Sequence, residues 1–238
     1  MNDAIQALWI GPALSMMERL ALTSFVAAGH VVHLYVYDDV DGVPSGVDVC
    51  DAAEILPRSR IFRYAEHDTV SGFSNFFRYK LLLARGGWWV DTDVVCLKPF
   101  DIDGEHVFSS ELSKGAPVVN CGVIRAPAGS PAMEQAWQTC AALDTATIKW
   151  GQTGPRLCAE VVRTNGLEAC VQPPEVFCPI PYYEWQTLVD PSAKIEFPAA
   201  TYAVHLWNEM WRRGGASKDD AYDAGCLYAL LQRRFGLA

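Results

Sequence analysis

Three Asp-x-Asp pairs, Asp39/Asp41, Asp91/Asp93 and Asp101/Asp103, have the residue type and spacing to hold a cation. Two of them run straight into glycine, in Asp39-Val40-Asp41-Gly42 and Asp101-Ile102-Asp103-Gly104, and read as solvated turns where Asp bonds its own backbone. The third lies in Arg85-Gly86-Gly87-Trp88-Trp89-Val90-Asp91-Thr92-Asp93-Val94-Val95, inside a β-prone apolar strand. Ionised carboxylates in such surroundings need an offsetting charge. Carboxylate oxygens suit Mg²⁺ or Mn²⁺, and Mg²⁺ is commonly held by one or two carboxylates together with substrate phosphates. The expectation is a metal and diphosphate site at Asp91 and Asp93.

The surrounding pattern supplies elements to position such a pair. Residues 4–10 and 31–37 read as strands, and 14–28 has helical apolar spacing that stops at Gly29, giving a β-α-β opening. Both strands are apolar nearly throughout, as parallel strands covered on both faces are. Ligands of such sheets gather at the carboxyl ends of the strands, which places Trp9 to Gly11 and Asp38 to Asp39 beside a cleft. A helix is expected over 72–86, with Phe73, Phe76, Phe77 and Leu81 to Leu83 on its buried sides. Spacings of four and seven put Ser74, Arg78 and Arg85 on one face, with Asn75 one turn from Arg78. A strand over 88–97 follows at once, so the helix carrying Arg78 leads directly into Asp91 and Asp93. Further on, short strands are expected at 107–109, 117–119 and 121–125 and helices near 130–144 and 152–164. An irregular wrap over 173–200, a strand over 201–207 and a loop over 208–215 come next. The last helix is expected over about 217–235, with Ser217 as N-cap and Asp219 and Asp220 in its first turn.

Composition bounds the function classes. The chain has 238 residues, half of them apolar, enough for one large α/β domain with a substantial core. Its formal net charge of −9 argues against a nucleic-acid partner, because phosphate-backbone binding relies on clustered Lys and Arg. Eight cysteines without C-x₂-C pairs read as reduced, buried thiols. No run of eighteen uncharged apolar residues occurs, and no basic region precedes an apolar segment near Asp3. The expectation is therefore a cytoplasmic location, with no transmembrane segment and no secretory signal.

The segment from Ser74-Asn75-Phe76-Phe77-Arg78-Tyr79-Lys80 through Gly86-Gly87-Trp88-Trp89-Val90-Asp91-Thr92-Asp93 resembles the sugar-binding region of glycosyltransferases with a D-x-D motif. That group includes yeast α-1,6-mannosyltransferases, glycolipid α-1,4-galactosyltransferases and the large clostridial glucosylating toxins. Leu8-Trp9-Ile10-Gly11 is similar to the family's first strand and turn. Looser likeness extends to Asn120-Cys121-Gly122-Val123-Ile124, Gly151-Gln152-Thr153-Gly154-Pro155 and Val204-His205-Leu206-Trp207. The resemblance implies a GT-A fold, with a mostly parallel central sheet flanked by helices. Residues 1–100 would form the nucleotide-sugar-binding half and 101–238 the acceptor-side and lid half of one domain.

It also implies a nucleoside diphosphate sugar donor, a UDP-sugar ahead of a GDP-sugar, held through a divalent metal, usually Mn²⁺. By resemblance Trp9 stacks on the nucleotide base, Arg78 binds the sugar or diphosphate, Asp91 contacts sugar and ribose hydroxyls, and Asp93 ligates the metal. Trp89 falls at an aromatic position beside the donor, and Asn120 faces the reacting sugar. At the position after Ser74, where the family has an acid, this chain has Asn75, which can bond donor hydroxyls but supplies no charge. His205 ends a strand where GT-A enzymes complete the metal or diphosphate shell, or else it is a satisfied core histidine. Asn208, Trp211, Arg212 and Arg213 could close over the donor as a lid, or form a solvated turn. The reaction implied is metal-dependent transfer, with retention of configuration, to an acceptor hydroxyl on a glycan or small molecule. Two rivals stand beside it: a phosphatase of the haloacid dehalogenase type with Asp91 as nucleophile, and a non-catalytic nucleotide-sugar-binding module.

Overall fold

The computed structural model describes residues 4–64 and 69–237. In chain order its strands and helices are β1 (Ile5–Leu8), α1 (Met16–Ala27), β2 (Val32–Val36), β3 (Val47–Asp51), α2 (Ser71–Arg85), β4 (Gly87–Val90) and β5 (Val94–Cys96). They continue with β6 (Val107–Ser113), β7 (Ala116–Ala126), α3 (Pro131–Ala141), α4 (Pro155–Thr164), α5 (Pro174–Phe177), β8 (Ala203–His205), α6 (Asn208–Gly214) and α7 (Leu227–Arg234). The main sheet has the order β3-β2-β1-β4-β7-β6, and β5 pairs with β8 in a separate two-stranded sheet. Strands β3, β2, β1 and β4 are parallel, while β7 runs antiparallel to both β4 and β6. One reversed strand in six makes the sheet mostly parallel, as expected from the apolar character of the first two strands.

Apolar side chains on both faces of the sheet separate two cores. Ile5, Ala7, Leu34 and Trp88 face α1 and the C-terminal segments, whereas Leu8, Tyr35 and Trp89 face α2, α3 and α4. The adjacent tryptophans Trp88 and Trp89 thus anchor opposite faces, the two-residue period of a strand. Helix α1 starts in a capping box between Ser15 and Glu18, and the buried Glu18 is also paired with Lys218 from the far end of the chain. Helix α2 ends at Gly86, whose φ of 66° and close approach to Ala128 leave no room for a side chain.

Four expectations change. The strand over 88–97 is two strands, because the backbone turns at Asp91 to Asp93, with the Val94 N–H donating to the Asp91 carbonyl at 3.1 Å. The acid pair therefore sits beyond the end of β4, not inside a strand. The separate strands 117–119 and 121–125 are one, β7, because a two-residue turn at Lys114 and Gly115, both with positive φ, closes a long hairpin with β6. Residues 208–214 are helical rather than a loop, entered from Trp207 at φ 60° and left through Gly215 at φ 69°. The last helix starts at Leu227, not near Ser217: Asp219 instead accepts the Met16 N–H at the start of α1, and Lys218 is drawn to Glu18.

Candidate active site

Helix α2 delivers Arg78 beneath the turn that follows β4. The guanidinium is almost completely buried, lies 4.9 Å from the centre of the Trp89 ring, and donates to the Cys121 carbonyl and the Ser74 hydroxyl. Its Nη2 is 3.0 Å from Asp91 Oδ1, which also accepts the Trp89 indole N–H at 2.9 Å. One oxygen of Asp91 is thereby fixed, and Oδ2 is turned toward Gly122. Trp89, buried with Phe77 against it, acts from underneath as a support.

The pairing of β5 with β8 completes the group. It sets Val94 opposite His205, so the imidazole arrives beside the residue preceding Val94. His205 Nε2 is 3.2 Å from Asp93 Oδ1, and the other oxygen of Asp93 accepts the Asn208 backbone N–H at 2.8 Å. The imidazole stacks on Trp207 with ring centres 3.9 Å apart, and its Nδ1 is 3.7 Å from Cys178 Sγ. Ligand atoms of Asp91, Asp93 and His205 all lie within 4.8 Å of one another. Gly122 on β7 leaves a hollow beside them. A Cβ there would stand 2.9 Å from Asn120 Oδ1 and 3.2 Å from both Asp91 Oδ2 and His205 Cε1. Two carboxylates and an imidazole around a polar hollow fit a divalent cation of the Mn²⁺ or Mg²⁺ type.

Residues 36–111 match the model of the glycosyltransferase sugar-binding region containing a DXD motif, and residues 146–235 match the alpha 1,4-glycosyltransferase conserved region. Together the two cover well over half of the chain. The chain carries a glycosyltransferase sugar-binding region with a DXD motif, followed by an alpha 1,4-glycosyltransferase region. Among relatives, a lactosylceramide 4-alpha-galactosyltransferase of Pongo pygmaeus is 35% identical over 74 residues, 25% of this chain and 34% of that protein. The alpha-1,4-N-acetylglucosaminyltransferase of Homo sapiens is 25% identical over 170 residues, 64% of this chain and 47% of that protein. The matches thus span between about a third and a half of these relatives' length. The solved PaToxG glycosyltransferase superposes with a TM-score of 0.50 at 14% identity, covering 71% of this chain and 72% of that one. That likeness shows the fold, a GT-A arrangement. None of these matches supports the phosphatase reading of Asp91.

Electrostatics divide the acid pair. Burial pushes the Asp93 carboxyl up, but His205 and the hydrogen bonds around it together hold it below the usual value. Burial pulls the His205 imidazole down, and Asp93 overrides this and holds it well above 6.5. Burial raises Asp91, with Arg78 opposing and Asp93 adding to the rise. Without a cation, Asp93 and His205 form an ion pair; with one, both are ligands of the required kind.

The remaining expected residues are distributed unevenly. Asn75 is buried and donates to Thr153 Oγ1 at 3.3 Å, and Ser74 serves Arg78. Asn120 lines the hollow. Trp9 stands at the carboxyl end of β1, next to β4, with its indole N–H buried against Gly11 and no hydrogen-bond partner among the described residues. Trp211 corrects an expectation: it is wholly buried against Trp185 and Tyr228 and bonds the Leu206 carbonyl, so it anchors α6 to the core and offers no face to a donor. Arg212 and Arg213 pair with Glu209 on the same helix. Sequence reading missed Glu111 on β6, which accepts a hydrogen bond from the Asn120 amide. Its signal was an acid in a β-prone segment, visible only if 107–113 is read as one strand.

Proposed function

We propose that the chain transfers a glycosyl group from a nucleoside diphosphate sugar to an acceptor hydroxyl, with a divalent cation, Mn²⁺ or Mg²⁺, at Asp91, Asp93 and His205. The observation that carries this is the convergence of those three side chains within 4.8 Å at the end of β4, in a chain that carries the DXD-containing region. When bound, the cation supplies Lewis-acid stabilisation to the departing diphosphate. Asp93 and His205 would hold it, and the Asn208 N–H fixes the oxygen of Asp93 that is turned away from His205. Asp91 is oriented by Arg78 and Trp89, leaving Oδ2 for the cation or a sugar hydroxyl. Arg78 is spent on Asp91, Ser74 and Cys121, so it acts through Asp91 rather than by reaching the diphosphate. Trp9, at the carboxyl end of the neighbouring strand β1, presents an aromatic surface for the nucleotide base.

The two relatives' names, a 4-alpha-galactosyltransferase and an alpha-1,4-N-acetylglucosaminyltransferase, support an α-linked product and a glycan acceptor. They make UDP-galactose and UDP-N-acetylglucosamine the first donors to try, and GDP-sugars the next. The test is release of free nucleoside diphosphate from these donors with Mn²⁺. Wild-type protein is expected to turn over at least one of them, and Asp93→Ala to lose at least a hundredfold. Tight donor binding without hydrolysis or transfer would favour the non-catalytic module instead.

A further inference from the structure

Glu111 projects from β6, where it is paired in register with Val118 of β7. Its Oε2 accepts a hydrogen bond from Asn120 Nδ2. Among the described residues, Oε1 has no hydrogen-bond partner and no Lys or Arg forms an ion pair with the carboxylate. Burial raises its carboxyl above the ordinary value, with the Asn120 amide and His205 opposing. A half-buried acid with no direct ion-pair partner costs free energy that a purely structural position has no reason to carry.

Asn120 links this acid to the candidate active site. Its Oδ1 accepts the Gly122 N–H at 2.6 Å and the Ser109 hydroxyl at 3.3 Å, which leaves Nδ2 to Glu111 and fixes the orientation of the amide. The same Oδ1 lines the hollow over Gly122, opposite Asp91 Oδ2 and His205 Cε1. Glu111 is therefore one side chain removed from the three candidate cation ligands, with one oxygen held and the other free. An ionised carboxylate only accepts hydrogen bonds, and sugar hydroxyls donate them, forming the stronger charge-assisted kind.

We propose that Glu111 Oε1 accepts a hydroxyl of a sugar bound at this site, with Asn120 holding the carboxylate in place. The inference rests on the glycosyl-transfer reading above and adds to it a recognition residue on β6, separated from β4 by β7. The hydroxyl belongs either to the sugar of the donor or to the acceptor, and the two are separable by experiment.

Calorimetry with Mn²⁺ compares UDP, UDP-galactose and UDP-N-acetylglucosamine on wild type, Glu111→Gln and Glu111→Leu. Steady-state transfer to lactose, methyl galactoside and methyl glucoside forms the second arm. Losing a hydrogen bond to a charged group weakens binding roughly tenfold to a hundredfold. In both variants UDP affinity should match the wild type. If the hydroxyl is the donor's, Glu111→Leu loses that factor for the sugar nucleotide. If it is the acceptor's, sugar-nucleotide affinity holds and the acceptor KM rises by the same factor. Glu111→Gln keeps an accepting oxygen and should lose less. The proposal is overturned if UDP affinity falls in step with that of the sugar nucleotide, which marks a structural role, or if neither arm changes. Wild-type protein that binds none of the sugar nucleotides overturns the underlying reading instead, and this one with it.

Discussion

Arg78 shows how one buried cation can organise a site without entering the chemistry. Its contacts with Asp91, Ser74 and the Cys121 carbonyl tie α2 to β7 through the acid pair. Removing it leaves Asp91 beside Asp93 with no positive neighbour on its own side. Breaking one partner of a buried ion pair costs about 3 kcal/mol or more, because a charge stays behind unpaired. Arg78→Ala should therefore lower unfolding free energy by about 3 kcal/mol in urea titration, and Arg78→Lys by less. A change below about 0.5 kcal/mol would mean that Asp91 is carried by water instead. The Asp93 and His205 pair predicts a pH dependence of definite sign. The imidazole is raised above 6.5, so its contribution is whole below pH 6.5 and drains away as pH climbs through the raised value. The Asp93 carboxyl is lowered below 3.8, so its contribution is present above pH 3.8 and is lost as pH falls through the lowered value. Without metal, the pair stabilises most between these limits. Added Mn²⁺ needs the neutral imidazole, so its increase in Tm should grow from pH 6 to 8. A constant increase across that range would show that His205 is not a ligand.

At the scale of elements, the sequence made the opening β-α-β unit, helix α2 and its junction with β4 legible, because apolar periodicity and the Gly86 stop are local signals. The acid pair and Arg78 were legible for the same reason, lying on consecutive elements. What escaped depended on partners distant in the chain. The break between β4 and β5 follows from β8 claiming β5, with Val94 paired to His205 and Cys96 to Ala203 across more than a hundred residues of chain, and no local pattern announces such a pairing. Helix α6 looked like a loop because Trp211 is its sole buried side chain, and a single aromatic gives no period. The helix expected from Ser217 starts late because the side chains of Lys218 and Asp219 are engaged with α1 instead. The hollow over Gly122 was also invisible: it exists only when β7 lies beside β4. It yields a direct test of strand placement. Gly122→Ala puts a methyl against Asn120 Oδ1 and Asp91 Oδ2, and should lower Mn²⁺ affinity at least tenfold while circular dichroism stays native. Unchanged affinity would show that the hollow is not part of the site.

Across the whole molecule, two family matches on separate stretches, 36–111 and 146–235, meet at one place. The first brings Arg78 and the acid pair, and the second brings Asn208 and His205, on strands joined through β5 and β8. Neither stretch alone contains all three candidate ligands, so the candidate cation site is a property of the folded chain. No disulfide cross-links the chain: all eight cysteines are free, and burial pushes Cys121 up to about 11 and Cys96 and Cys140 up to about 12. Among the described residues, no helix is long and apolar enough to cross a membrane. The proposed transfer depends on Asp91, Asp93 and His205 gripping a divalent ion that a nucleoside diphosphate then shares. Titration of Mn²⁺ followed by electron paramagnetic resonance, with and without UDP, measures this directly. Wild-type protein should remove the free-ion signal, more tightly with UDP present, and Asp93→Ala and His205→Ala should leave the signal intact. Equal uptake of Mn²⁺ by wild type and both variants would contradict the proposal.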